Sequence, residues 1–160
     1  MAMKNTFSAP FWETTSLEDL RPSQWELLCD RCGRCCLEKL TNRRSGKVYY
    51  TSIGCRLLDS ATCRCRDYRH RHRKVPHCLQ LTLAILPSCR WLPRTCAYRL
   101  LWEGKPLPDW HPLISGDPES VHAAGISVRG RRLHAMPPNS DGLENYIVDW
   151  GFWGKRASHR

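Results

Sequence analysis

Apolar and polar positions along the chain alternate in short runs, which predicts many brief elements and no long one. Pro22 precedes Ser23, and Glu26 stands three residues on, the spacing of a capping box that opens a helix. Trp25, Leu28, Cys29 and Cys32 then fall at i, i+3, i+4 and i+7, on one helical face. The apolar stripe of this helix therefore runs into the first two thiols, and Gly33 is placed to break the helix and let the backbone curl. After the turn signal Ser45-Gly46, the β-rich run from Lys47 to Ile53 predicts a strand. Cys78 to Leu86 reads as a helix ended by Pro87. Thr95 to Glu103 reads as another, with Gly104 placed to cap it. Gly125 to Arg131 reads as a strand, and Leu143 to Trp150 as a short helix or strand. The sum is a small, irregular α+β domain with several short helices and few strands.

Length and composition fit that picture. At 160 residues and 41% hydrophobic the chain can build one domain with a modest core, broken up by 11 prolines and 10 glycines. It divides into an arm and helix (1–28), a stretch holding every cysteine (29–96) and a cysteine-free remainder of the same domain (97–160). The apolar run around Leu79 to Leu86 is far shorter than the roughly 20 residues that cross a bilayer, so no membrane span is expected. Met1 to Thr15 holds no apolar run of a secretory kind, which points to the cytoplasm. There thiols stay reduced, and the ten cysteines favour metal or redox chemistry over disulfides. The formal charge of +10 counts those cysteines as neutral. Each four-thiolate zinc site carries about −2, so two sites would leave about +6, a weaker nucleic-acid signal than the raw count.

The candidate chemistry lies in Cys29-Asp30-Arg31-Cys32 and Cys32-Gly33-Arg34-Cys35, two CxxC loops sharing a residue, with Cys36 directly after. A CxxC turn brings two thiolates to one metal and offers backbone N–H groups to sulfur. Adjacent cysteines point different ways, so Cys35 and Cys36 can split between two metals. Cys55, Cys63, Cys65, Cys78, Cys89 and Cys96 follow, enough thiols for two centres or a shared cluster. Zinc suits all-thiolate sites. Iron–sulfur is the alternative: Cys29, Cys32 and Cys35 reproduce the C-x2-C-x2-C start of a [4Fe–4S] run, although the Cys-Pro that ends such a run is missing.

At these residues the sequence resembles the YcgN-like bacterial cysteine-cluster proteins, part of a family defined by the CxxCxxCC motif and named for the zinc or iron chelation that motif suggests. Similar segments include Cys55-Arg-Leu-Leu-Asp59, Thr62 to Tyr68, Pro76-His-Cys78, Trp91 to Leu101, Leu107 to Leu113 and Ala124 to Gly130. The resemblance spans roughly residues 8–150. It implies metal binding and no reaction. Carried over position by position, it implicates Cys29, Cys32, Cys35, Cys36, Cys55, Cys63, Cys65, Cys78 and Cys96 and leaves out Cys89.

Other candidates weigh less. His111, between Trp110 and Pro112, is a possible metal ligand but more often such a histidine is packed. His77 stands beside Cys78. The basic run Arg69 to Lys74 could contact phosphates, though a solvated face is the commoner meaning of such a run. Trp25, Trp91 and Trp102 follow apolar patterns and are expected in the core, while Trp150, Phe152 and Trp153 could anchor a protein partner. Asp59, Asp67 and Asp109 are carboxylates near the cysteines without catalytic spacing. With no nucleophile elbow, phosphate loop, dinucleotide fingerprint or HExxH helix, the sequence leans away from an enzyme. Three functions remain: a metal-binding protein with a structural, sensing or adaptor role, an iron–sulfur redox protein or enzyme component, and a zinc-stapled nucleic-acid module.

Overall fold

Regular structure comes in short pieces in the computed structural model, which describes residues 9–150. Helices α1 (Phe11–Thr14) and α2 (Pro22–Leu27) lead into a 3-10 turn (Arg34–Cys36). Strands β1 (Leu37–Thr41), β2 (Val48–Gly54), β3 (Leu58–Asp59) and β4 (Arg64–Cys65) follow. Helices α3 (Arg71–Lys74), α4 (Ala97–Trp102), α5 (Pro112–Ser115) and α6 (Ser120–Ala123) complete the order, with 3-10 turns at Leu86–Ser88 and Leu143–Tyr146. β1 and β2 pair antiparallel, Thr41 opposite Val48 and Leu37 opposite Gly54, with an irregularity between Leu37 and Lys39. β3 and β4 form a second, smaller antiparallel pair. This is the small α+β domain that the pattern predicts.

Two apolar clusters carry the core. One gathers Leu28, Leu86, Leu92, Ala97, Tyr98 and Leu107, with Trp25 and Trp91 packed against it. The other gathers Leu37, Tyr50, Leu58 and Val128. A third, smaller group holds Val121 and Ile126. The cysteine loop joins all three, because Leu28 enters the first, Cys32 the third and Leu37 the second.

Several elements match the pattern. β2 forms where the β-rich run predicts it, and its centre is buried: Thr51 and Ile53 are fully covered. α4 ends as Gly104 suggests. Gly104 takes φ +68°, its N–H donates to Leu101 O, and Lys105 N–H donates to Leu100 O, a Schellman closure. The Leu143–Trp150 stretch is a 3-10 turn followed by a single bridge from Ile147 to Thr51.

Other elements differ. α2 stops at Leu27, before the thiols, and its first turn is tied by Arg21 N–H donating to Gln24 Oε1 at 2.9 Å, not by Ser23 and Glu26. Glu26 instead accepts from the Tyr68 hydroxyl. The expected helix over Cys78–Leu86 does not form: the chain is irregular as far as Thr82, whose carbonyl accepts from Ile85 and Leu86 N–H in a turn that leads into the 3-10 turn at Leu86–Ser88. Leu81, Leu83 and Ile85 pack alternately on the first cluster, and Leu81 O accepts from the Trp25 indole at 3.1 Å, so side-chain spacing of two prevails over helix. Gly125–Arg131 forms turns in place of a strand, because Val128 N–H is given to Cys32 O. Trp102 is 47% exposed, outside the core where its pattern placed it.

Candidate metal centres

The loop after Leu28 is shaped by backbone chemistry. Asp30 Oδ1 accepts from Cys32 N–H at 2.9 Å, and Arg31 and Gly33 adopt φ +61° and +76°. At Gly33 a Cβ would stand 2.8 Å from Val128 Cγ2, so only glycine lets the loop lie against that side chain. Cys96 arrives from the other side of the sequence at the N-terminal edge of α4, its N–H bonded to Pro93 O.

Cys29, Cys32, Cys35 and Cys96 line one cavity of about 40 Å³, together with Asp30 and Tyr98. Burial raises the Cys32 thiol and pushes Cys96 up to about 12. Cys35 is held at about 7 by the Cys36 thiol hydrogen-bonded to it and by the nearby Lys39 ammonium, whose Nζ donates to Cys35 O at 2.8 Å.

The remaining thiols are linked more loosely, Cys36 to Cys55 and Cys55 to Cys78. The Cys36 thiol is raised by the hydrogen bond with Cys35 and lies within electrostatic reach of Cys55. Cys55 N–H donates to Cys36 O at 2.8 Å, and Cys78 lies within electrostatic reach of both Cys55 and Cys65. Cys65 is set opposite Leu58 in the β3–β4 pair. The basic run folds around these thiols. Arg71 stacks its guanidinium 3.8 Å from the centre of the Tyr68 ring and also hydrogen-bonds the Cys78 thiol. His72 Nδ1 lies 2.9 Å from Cys78 O, and Lys74 Nζ pairs with Asp67 at 2.6 Å. Arg56 donates to Lys74 O, tying the loop after Cys55 to the end of α3.

Among the described residues, no three Cys, His, Asp or Glu side chains already close on one point as they would around an ion. The donor set nevertheless fits one. Four thiols line one small cavity, where burial makes Cys32 and Cys96 costly as thiolates without a cation, and Asp30 Oδ2 is buried there with no hydrogen-bond donor. A soft divalent ion or an iron–sulfur core held by these thiols would supply the missing positive charge.

Two cysteines stand apart. Cys63 is buried in the second cluster at φ +56°, its thiol engaged by the Ser127 hydroxyl and by backbone N–H groups of Val128 and Arg129. Cys89 is buried in the first cluster among leucines. None of the ten cysteines is in a disulfide. His111 is fully buried with both ring nitrogens used. Nδ1 accepts from Leu113 N–H, which leaves Nε2–H to donate to Leu28 O at 3.0 Å. It packs beneath the cysteine loop as a neutral imidazole. His77 is exposed. Asp59 accepts from Ala61 and Thr62 N–H and so shapes the turn before Cys63.

Asp30, Arg34 and Lys39 escape sequence reasoning although all three serve the site. Arg34 is only 1% exposed, donates to Thr95 Oγ1 and sets its charge beside Cys32 and Asp30. An arginine inside CxxC spacing looks like any surface arginine, so nothing in the pattern marks it. Phe152 and Trp153 lie outside the described residues. Trp150 packs on the second cluster with Arg131 over its ring.

Comparison with known proteins bears on the same cysteines. The CxxCxxCC family model, described as "Putative zinc- or iron-chelating domain", matches residues 28–97. A UPF0260 protein of Rhizorhabdus wittichii is 53% identical over 144 residues, which are 90% of this chain and 97% of the relative. This chain belongs to the UPF0260 family. Further members are the UPF0260 proteins of Rhizobium etli, 52% identical over 88% of this chain and 89% of the relative, and of Gluconacetobacter diazotrophicus, 53% identical over 91% and 89%. No solved structure matches. The family match thus spans the interval from Leu28 to Ala97 in which all ten cysteines lie, and no helix among the described residues is long and apolar enough to cross a membrane.

Proposed function

We propose that this protein holds two cysteine-bound metal centres, zinc or iron, and that these centres organise its fold. Cys29, Cys32, Cys35 and Cys96 form the first, and Cys36, Cys55, Cys65 and Cys78 the second. Cys63 joins neither and serves the core. The observation that carries this reading is that Cys29, Cys32, Cys35 and Cys96 line one cavity that Cys36 does not, while Cys36 has Cys55 within electrostatic reach and accepts its N–H at the backbone. Thiolates supply the coordination, and Asp30 and Arg34 set the local charge. The ten free thiols suit a reducing compartment such as the cytoplasm. In the cell the metal would serve a structural, sensing or adaptor role.

A second reading applies to the first centre alone. Three ligands on a C-x2-C-x2-C loop with a remote fourth is also the arrangement that suits an iron–sulfur cluster. Elemental analysis and a visible spectrum of anaerobically purified protein separate the two. Brown protein with iron and acid-labile sulfide indicates a cluster, whereas colourless protein with zinc indicates the structural ion. Protein that carries neither metal would sink the proposal. The run Arg69 to Lys74 gives a nucleic-acid role little support, since Arg71 and Lys74 are spent on Tyr68, Cys78 and Asp67.

A further inference from the structure

Beside the first cysteine set, with which it shares Leu92 in its wall, a cleft of about 490 Å³ opens between the β1–β2 turn and residues 90–99. Four cations line it, Lys47, Arg90, Arg94 and Arg99, with Tyr50 and Trp91 as aromatic wall and no carboxylate among the lining residues. Its volume lies within the range of small-ligand sites.

The cleft is held in shape by its own bonds. On one side Asn42 Oδ1 accepts from Arg44 and Ser45 N–H, and Gly46 at φ +68° finishes the turn that presents Lys47. On the other, Arg99 pairs with Glu103 at 2.8 Å and donates to Arg90 O and Leu92 O, pinning the loop. The Tyr50 hydroxyl donates to Trp91 O, joining the two sides. Arg99 is thus a positioning residue. Lys47 rests over Tyr49, and among the described residues neither it nor Arg90 meets a carboxylate. Like charges gathered on a concave wall repel one another and focus a positive potential, which an anion relieves. Arginine forks match phosphate oxygens, and Trp91, which packs on the first cluster and carries Lys39 Nζ 4.8 Å from its ring centre, lines the cleft beside them.

We propose that this cleft binds a nucleotide, free or as one unit of a single strand, with Arg90 and Lys47 on the phosphate and Trp91 against the base. The test uses full-length, metal-loaded protein and a fluorescein-labelled single-stranded RNA of mixed sequence, followed by anisotropy, with ADP as competitor. Lys47→Gln with Arg90→Gln should weaken binding by about tenfold or more, the value of one or two charge-assisted hydrogen bonds. It should also flatten the salt dependence by about 0.7 per lost cation. Arg69→Gln with Arg73→Gln, exposed cations elsewhere, should leave affinity unchanged. Trp91→Leu should weaken ADP but spare inorganic pyrophosphate, which also verifies that this variant is folded. Displacement of RNA by ADP identifies a free nucleotide as the ligand, and retention of RNA identifies the strand. Failure of wild type to bind either probe at about 50 mM salt overturns the proposal. So does equal loss in the Arg69/Arg73 pair, or polyglutamate competing as well as RNA.

Discussion

Three of the four cysteines in the first set share one short loop, whereas those of the second set come from four separate places: the end of a 3-10 turn, the exit of β2, β4 and the chain after α3. The first set is also braced by packing. Leu28, Leu92, Ala97 and Tyr98 surround its two halves within the first apolar cluster. The second set has two-residue strands and a four-residue helix around it. Loops of roughly ten to twenty residues separate its members, and closing each costs entropy that only a cross-link returns. The same thiol chemistry therefore does two jobs. On the proposed assignment, the first centre reinforces a shape that packing already favours, while the second, with only Cys36 and Cys55 packed on the second cluster, contributes more of its own.

The strongest way to break this comparison is to remove the metal. Structural sites contribute on the order of 10 kcal/mol, comparable with a domain's whole stability. A strong chelator should lower the melting temperature steeply, and hydrogen exchange should show protection lost first across residues 55–78. Loss that begins at α4 instead would reverse the roles assigned to the two sets.

Single ligands sharpen it. Cys65→Ser should expose residues 55–78 to limited proteolysis while leaving α4 protected. Cys96→Ser should leave the 55–78 region resistant. Similar cleavage patterns in the two variants would mean that one cooperative centre, not two, organises the chain.

Gly33→Ala has a smaller effect by a different route. The added methyl meets Val128 at 2.8 Å on a residue at φ +76°, and such strain costs about 1–3 kcal/mol. The variant should melt lower and bind metal more weakly at the first set alone. A melting temperature equal to wild type would show that the loop has room that its packing denies.

These positions also mark what the sequence made legible. β2 and the cap of α4 rest on local chemistry and stand where the pattern placed them, and the backbone does curl at Gly33, although the helix that it was to break has already ended at Leu27. Residues 78–86 carry the apolar content and closing proline of a helix, yet Leu79, Leu81, Leu83 and Ile85 repeat every second residue, the spacing of extended chain. The partner strand Leu37–Thr41 carries charged and polar residues and earns its place only by pairing with β2. The Gln24 cap, the charge of Arg34 beside Cys32 and the placing of Lys47 and Arg90 on one cleft depend on distant or unremarkable residues, which no local spacing announces.

Smallest of all should be the effect on metal of the two cysteines left outside. Cys63→Ala and Cys89→Ala remove buried sulfur and should cost roughly 1–3 kcal/mol of stability with metal content unchanged. Metal loss at Cys63 would return it to the ligand set that the family resemblance implies.

The central claim is two separate centres, and native mass spectrometry of anaerobically purified protein tests it directly. Wild type should carry two centres per chain, Cys29→Ser and Cys55→Ser one each, and the double variant none. A single centre in wild type, or loss of all metal from either single variant, would contradict the division at Cys35 and Cys36.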